Sequence, residues 1–364
     1  MNLQNREDDK IREYLMPLLK NYGFEELSEN FLKANNIFDI LGDAQVPINM
    51  HSAEKVTMVT LGANMAFVIG CDPDFKYVEN YKQFVERILD PLFKEHFDRK
   101  FADYVISEGT KCADMNDFDA ACAWFRAALV LDPNSRDGLY CYARACKDSY
   151  ELGEEEEFVA RYKAESLEMF ERLTMDFPDF ADGFYFLGYA YLNLGLYIKA
   201  KLTWEDFLKL STNKELISEV EDRVDSLEDP VKIEEGYNLI ITGKFQEGYD
   251  ILLGYVDGPY KNWWPLWYYL GVAAREMGKL KEAEKYFKNV LNLSPSDIQT
   301  LEELVKIYEE LDDLENLKKY EGKIELVKQH IAEDEEIKKL GEEYGAKIVT
   351  NLADLPGSKT DKMN

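Results

Sequence analysis

Residues 184–200 read FYFLGYAYLNLGLYIKA, and their spacing decides the architecture of the chain. Phe184, Leu187, Gly188 and Tyr191 recur at the three- and four-residue intervals that place side chains on one face of an α-helix. A Leu-Gly break follows, and Ala200 then opens a second amphipathic stretch. This stretch therefore predicts two helices joined by a short turn, with one apolar face that needs a neighbour to cover it.

The same spacing recurs along the chain in one register. Three prolines each follow a phenylalanine by eight residues: Pro133 after Phe125, Pro178 after Phe170, and Pro295 after Phe287. Well-preserved copies cover 102–135 and 264–297, and a third begins at Arg136 but carries the acidic insertion Glu154 to Glu157. Weaker copies cover 229–263 and 298–331, and the decay of the last one is typical of a capping repeat.

This pattern of a large residue, Leu-Gly, an aromatic, Ala and a second aromatic resembles the tetratricopeptide repeat. The resemblance implies an all-α, right-handed helical solenoid of about six repeats over 101–331, with an irregular second repeat and an extra helix near 215–228. An N-terminal helical region, a cap or degenerate repeats, is expected over 1–100. An acidic C-terminal helix and a disordered tail from Pro356 are expected over 332–364.

The first hundred residues do not show the repeat clearly. Their apolar periodicity predicts helices over Ile11–Lys20, Phe24–Lys33, Val56–Ile69 and Lys76–Arg99. Gly42–Asn49 reads as a loop around a proline, and strands find little support anywhere in the chain.

Charge and composition narrow the classes of partner. The 364 residues include 71 Asp and Glu against 43 Lys and Arg, a formal net charge of −28. Such a surface repels nucleic acid and anionic membranes, so neither is expected as a partner. No apolar signal region opens the sequence, and the longest apolar stretch, Ala63 to Cys71, is too short to cross a bilayer. A cytoplasmic protein is expected.

Residues able to support chemistry are few and scattered. His51, His96 and His330 share no metal-binding or catalytic spacing. The cysteines lack CxxC spacing and are expected as buried, reduced thiols, with a metal site as the alternative for the four at 112–146. They are Cys71, Cys112, Cys122, Cys141 and Cys146. No cofactor, bound metal, catalytic residue or small-molecule substrate is predicted, and the chain is not expected to be an enzyme.

A candidate binding surface follows from the resemblance, which implies that positions 2, 5, 9 and 12 of each first helix face a concave groove. In the register above this aromatic, partly basic groove consists of Tyr140, Arg144, Lys147, Tyr185, Tyr189, Leu192, Tyr237, Tyr268 and Arg275. The same positions also hold Ile233, Ile240 and Val272. Trp263 and Trp264 form a secondary aromatic patch, either a hydrophobic staple or an exposed contact.

Two interpretations of this groove stay open from the sequence. Its tyrosines either bind a peptide segment of a partner protein, or pack against the chain's own helix Leu216–Leu227 or its C-terminal helix. The leading functional hypothesis is a non-enzymatic scaffold for protein–protein interaction. A peptide-sensing regulatory protein is the alternative, and an enzyme with a site in residues 1–100 is the third.

Overall fold

The computed structural model describes residues 3–4, 6, 8–50 and 55–344. They form two compact units, Met1–Asp225 and Ser226–Asn364, each of which is treated by itself. The predictions for His51 and for a tail from Pro356 lie outside the described residues. Within the described part, no helix is both long and apolar enough to span a membrane. The domain boundaries near residues 100 and 331 are placed where the sequence repeat begins and ends. They remain a prediction.

The N-terminal part of the first unit is built mainly from short helices. Their bounds, with those of two strands, are α1 (Arg12–Leu15), β1 (Tyr22–Glu26), α2 (Glu29–Ala34), α3 (Phe38–Leu41), β2 (Gln45–Asn49), α4 (Met58–Cys71), α5 (Val78–Phe84) and α6 (Asp90–Phe97). A 3₁₀ turn follows α1, where Pro17 removes a backbone donor, and a π-turn joins α5 to α6. The helices predicted from Val56 and Lys76 therefore exist, and the one predicted over Ile11–Lys20 is one turn of α-helix followed by a 3₁₀ turn.

The strands were not predicted. β1 and β2 pair antiparallel, with Phe24 opposite Pro47, so the predicted helix start at Phe24 and the predicted loop at 45–49 are wrong. Tertiary contacts explain the difference. The Tyr81 hydroxyl donates to the Gln45 carbonyl at 2.7 Å, and the Asn64 amide donates to the Pro47 carbonyl at 3.1 Å. Side chains from α5 and α4 thus bind the outer edge of β2, a stabilisation that local propensity does not encode.

Helical hairpins make up the rest of both units. The first unit continues with α7 (Phe101–Asp114), α8 (Phe118–Leu131), α9 (Arg136–Leu152), α10 (Glu156–Asp176), α11 (Ala181–Asn193), α12 (Tyr197–Leu210) and α13 (Lys214–Ser226, whose last residue lies across the boundary). The second unit contains α14 (Glu228–Ile241), α15 (Phe245–Leu253), α16 (Trp264–Glu276), α17 (Leu280–Leu293), α18 (Ile298–Glu310) and α19 (Leu314–Tyr344). The separate C-terminal helix expected beyond Ala332 is instead the continuation of α19.

A glycine in the first helix of four repeats faces a large residue sixteen positions later in the second helix. A Cβ added to the glycine would lie 2.1–2.8 Å from that side chain. The pairs are Gly109 with Phe125, Gly188 with Trp204, Gly236 with Leu252, and Gly271 with Phe287. At Gly188 and Gly271 only glycine permits this close approach, because any side chain there would hold the two helices apart.

Gly188→Ala should destabilise the first unit. The new methyl group would lie 2.1 Å from Nε1 of Trp204, a fully buried ring that can yield only by repacking. We expect a net loss of about 1–2 kcal/mol, because overpacking of about 1–3 kcal/mol exceeds the helix-propensity gain of alanine. Urea unfolding of the full chain would measure it, and an unchanged midpoint would contradict the assigned packing.

The second repeat is longer than its neighbours but stays closed. The acidic insertion lengthens the pair to 17 residues in α9 and 21 in α10. Polar contacts join the two helices through the core: Tyr142 donates to Glu165 at 2.8 Å, and the Ser166 hydroxyl donates to the Ala143 carbonyl at 2.9 Å. The two helices of this repeat therefore stay packed together at this point.

Candidate peptide-binding surface

A cleft opens between α7 and α9 in the first unit, and we call it the α7–α9 cleft. Its volume is 340 Å³, and α8 closes its floor with Phe118 and Phe125. Tyr140 and Arg144 of the predicted groove line it, together with two carboxylates, Asp114 on α7 and Asp148 on α9. The cleft therefore offers an apolar base and charged groups at its rim, which is the usual composition of a site for one side chain of a partner.

Arg144 is the exposed cation of this cleft. Its guanidinium lies 5.1 Å from the ring centre of Phe186 and 5.8 Å from that of Tyr140. Within the described part of the chain it forms no ion pair with a carboxylate. Two aromatic faces orient the guanidinium, which also interacts with the Tyr140 hydroxyl and with the charge of Asp148. A planar guanidinium held in this way suits bidentate binding of a carboxylate.

Tyr140 continues an aromatic row toward α11. Its ring meets Phe180 edge-on at 5.3 Å and Phe186 at 5.9 Å. Burial raises the pKa of Tyr140, so the phenol is neutral at physiological pH and can donate a hydrogen bond. Lys147, also predicted here, pairs with Glu151 at 2.6 Å on its own helix, and its charge is already compensated.

Tyr185 and Tyr189 on α11, which we call the tyrosine pair, face α13. The Tyr185 hydroxyl lies 3.2 and 3.3 Å from the two carboxylate oxygens of Glu219, and the Tyr189 hydroxyl donates to the same carboxylate. Burial, reinforced by this hydrogen bond, raises the pKa of Tyr189 far above its ordinary value. This is the contact that the self-packing interpretation predicts at these two positions. Leu192, one turn further on, is half-buried.

The second unit places its predicted residues differently. Tyr237 stacks on Tyr269 with ring centres 4.9 Å apart, and Tyr268 packs edge-on against Phe287. Arg275 pairs with Glu303 and Glu276, so its charge is compensated inside the unit. Of the remaining positions, Ile233 and Ile240 are each only 2% exposed, so their assignment to a groove surface is wrong and they belong to the core.

The secondary aromatic patch is only partly a surface. Trp263 is half-buried at the start of α16, and Trp264 is 38% exposed beside Tyr268. The neighbouring Trp267 stacks on Tyr286 and donates from its indole nitrogen to the Lys261 carbonyl at 2.6 Å. This hydrogen bond from Trp267 fastens the turn that precedes α16, and Trp264 is the exposed ring of the patch.

Sequence reasoning missed a buried ionic network on the first unit. Arg126 in α8 is fully buried and makes a bidentate ion pair with Asp9, 117 residues earlier. Arg6 donates to Glu165 at 2.7 Å and to Glu168 at 2.6 Å in α10. The only sequence signal is a single arginine inside the apolar run of α8. Residues 8–15 with Arg6, the N-terminal segment, are therefore fastened across α8 and α10.

Metal binding and thiol chemistry have little support among the described residues. The described residues hold no cluster of three or more His, Cys, Asp or Glu placed to bind a metal ion. All five cysteines are free, and burial raises the pKa of Cys71 to about 12 and those of Cys112 and Cys141 to about 11. These three thiols stay protonated at neutral pH, which is unsuitable for a nucleophile.

Comparison with known protein families identifies one of the predicted repeats. The family model of the tetratricopeptide repeat matches residues 264–297, the hairpin of α16 and α17 in the predicted register. The chain therefore contains a tetratricopeptide repeat at residues 264–297. Its fold is the all-α helical repeat of that family, and a protein of this family is a scaffold for protein–protein interaction. No curated protein sequence matches the chain significantly.

Several solved tetratricopeptide-repeat structures are similar at low identity. The TPR domain of P58(IPK) shares 16% identity over 66% of this chain and 65% of its own, with a TM-score of 0.38. YrrB, described as a TPR protein with an unusual peptide-binding site, shares 16% over 59% and 96%, with a TM-score of 0.31. MamA from Desulfovibrio magneticus RS-1 shares 17% over 52% and 96%, with a TM-score of 0.29. Likeness at this level carries no information about function.

Proposed function

We propose that this tetratricopeptide-repeat protein is a non-enzymatic, cytoplasmic scaffold that binds a peptide segment of a partner protein through the α7–α9 cleft. Arg144 binds a carboxylate of the segment, either an acidic side chain or the C-terminus. An apolar neighbour of that carboxylate enters the cleft against Phe118 and Phe125. The partner is a protein or peptide, and neither nucleic acid, membrane nor a small-molecule substrate is expected.

Arg144 is the observation that carries the proposal. The chain has a formal charge of −28, and eight of its eleven arginines pair with a nearby carboxylate. Arg144 instead rests on two aromatic rings, exposed, at the rim of a cleft with an apolar floor. A guanidinium held in this way loses little conformational freedom on binding, which favours a specific contact. The free thiols suit a reducing compartment.

A peptide screen with a charge-reversed variant tests this proposal. Displayed peptides, with free or amidated C-termini, would be selected on the folded full-length protein, and affinities would be measured by fluorescence anisotropy. Arg144→Glu should weaken the selected carboxylate-bearing peptides at least about tenfold, since a hydrogen bond to a charged group contributes about 1.5–3 kcal/mol. The reversed charge adds repulsion to that loss.

Arg87→Glu is the matched control. Arg87 is an exposed arginine of the same unit that pairs with Asp39 at 2.7 Å and does not line the cleft. Its reversal should leave peptide affinity within about twofold, because exposed ion pairs contribute little. Equal affinity of one peptide set for wild type and Arg144→Glu, or equal loss in both variants, would reject the cleft as the binding site.

A further inference from the structure

The tyrosine pair is a preformed site for a carboxylate. Trp204 donates from Nε1 to the Tyr185 carbonyl at 3.1 Å, and its ring meets that of Tyr189 edge-on at 4.9 Å. The Tyr185 ring packs on Phe207 at 5.5 Å, and Trp204 and Phe207 are both fully buried. The two hydroxyls are therefore fixed by the α11–α12 core, with both directed at one carboxylate.

The Glu219 carboxylate that now occupies this site belongs to α13, a helix with few buried side chains. Of the thirteen residues of α13, all of them described, Val220 alone is fully buried, and Leu216, Ile217 and Val224 are half-buried. Besides the Glu219 carboxylate, α13 contributes Arg223, whose guanidinium lies 6.0 Å from the ring centre of Tyr189. Val220 contributes about 1.5–3 kcal/mol of hydrophobic stabilisation and each half-buried side chain contributes less, which is modest for a helix of this length. The helix can leave without opening the core beneath.

The site is also continuous with the α7–α9 cleft. The Phe186 ring contacts Tyr185 at 5.1 Å on one side and Tyr140 at 5.9 Å on the other. Arg144 lies over the same Phe186 ring. A segment bound at Arg144 thus has its next contacts at the tyrosine pair, where α13 now lies.

We propose that α13 is an intramolecular competitor for the partner, and that the partner presents an acidic helix whose carboxylate replaces that of Glu219 on the tyrosine pair. The inference rests on the proposed function and adds the chemistry of the partner segment and a means of regulating access. Two hydroxyl donors that converge on one carboxylate match its paired acceptor oxygens, which favours an acidic segment. Binding then requires release of α13.

A peptide with the sequence of α13 provides a defined probe of the tyrosine pair. A labelled, acetylated and amidated peptide of residues 214–226, KELISEVEDRVDS, would be titrated into full-length protein and followed by anisotropy. Wild type should bind it weakly, because its own α13 occupies the site. The opened variant Glu219→Ala/Val220→Ala should bind it at least about tenfold more tightly, in line with the charged hydrogen bonds that the peptide forms. A peptide carrying Glu219→Gln should lose that gain.

Three controls decide the outcome. Adding Tyr185→Phe/Tyr189→Phe to the opened variant should abolish the gain, and Glu221→Ala/Asp222→Ala, on exposed positions of α13, should produce none. Hydrogen exchange should show faster exchange in α13 of the opened variant with unchanged protection in α11 and α12. Equal peptide affinity of wild type and opened variant would overturn the inference, as would loss of protection in α11 and α12.

The two proposals can fail separately. If Arg144→Glu abolishes binding of selected peptides while the opened variant gains nothing, the cleft stands and the competition by α13 is rejected. If the opened variant gains affinity but no selected peptide depends on Arg144, the tyrosine pair stands and the cleft is rejected.

Discussion

Asp9→Ala should cost the first unit about 3–5 kcal/mol of stability, the range for removing one partner of a buried ion pair. Asp9 accepts both hydrogen bonds of the Arg126 guanidinium, and the Arg126 side chain is completely buried in α8. Without the carboxylate, a full positive charge remains inside the protein with no partner at that position. Hydrogen exchange in α8 would measure the loss, and it reports on the first unit alone.

A double variant separates the charge from the packing. Asp9→Ala/Arg126→Met removes both charges and keeps an unbranched apolar side chain in α8, so it should recover at least half of the loss. Matching losses in the single and double variants would show that the N-terminal segment is held by its apolar residues instead. Ile11 and Leu15, both fully buried, are the residues that would then carry the attachment.

The pH dependence gives an independent check. Burial by itself would raise the pKa of Asp9, but the hydrogen bonds and charge of Arg126 outweigh burial and the pKa is lowered. Stability from this pair is therefore complete above the unfolded pKa of about 4 and is lost as pH falls through the lower folded value. The difference between wild type and Asp9→Ala should shrink below about pH 4. A difference that is constant down to pH 2 would contradict the assignment.

The repeat could be predicted because its determinants are local. The glycine and the large residue sixteen positions later lie in one hairpin, so a single spacing in sequence encodes one contact in space. Gly188 with Trp204 and Gly271 with Phe287 are both consequences of that spacing. The hairpin matched by the family model has the bounds that this register predicts.

The features that the sequence pattern did not predict depend on contacts between distant parts of the chain. Periodicity placed Tyr185 and Tyr189 on one face, but it could not decide that Glu219 covers them, because the course of α13 depends on the irregular residues 211–213. The β-strands depend on side chains from α4 and α5, and Asp9 depends on Arg126. None of these has a regular spacing that a sequence pattern could report.

Gly70→Ala should destabilise the first unit to an extent similar to Asp9→Ala, but through steric overlap instead of the loss of an ion pair. Gly70 lies near the end of α4, and a Cβ there would stand 1.8 Å from the Ala123 carbonyl oxygen and 3.1 Å from the Ala127 backbone nitrogen in α8. Unlike a side chain, the backbone of a packed helix cannot rotate away. The methyl group can be accommodated only if α4 and α8 separate.

We expect Gly70→Ala to lower the free energy of unfolding of the first unit by about 3 kcal/mol, the upper part of the range for overpacked cores. Urea unfolding would measure the loss, and hydrogen exchange should place it in α4 and α8. Gly322→Ala in α19 is the matched control: a Cβ there meets nothing within 4 Å, so alanine should be neutral or stabilise by up to about 1 kcal/mol. The two substitutions add the same methyl group to a helix, so a large loss at Gly70 with none at Gly322 isolates the approach of α4 to α8. Similar small changes in both would mean that the two helices are further apart than their contact at Ala123 indicates.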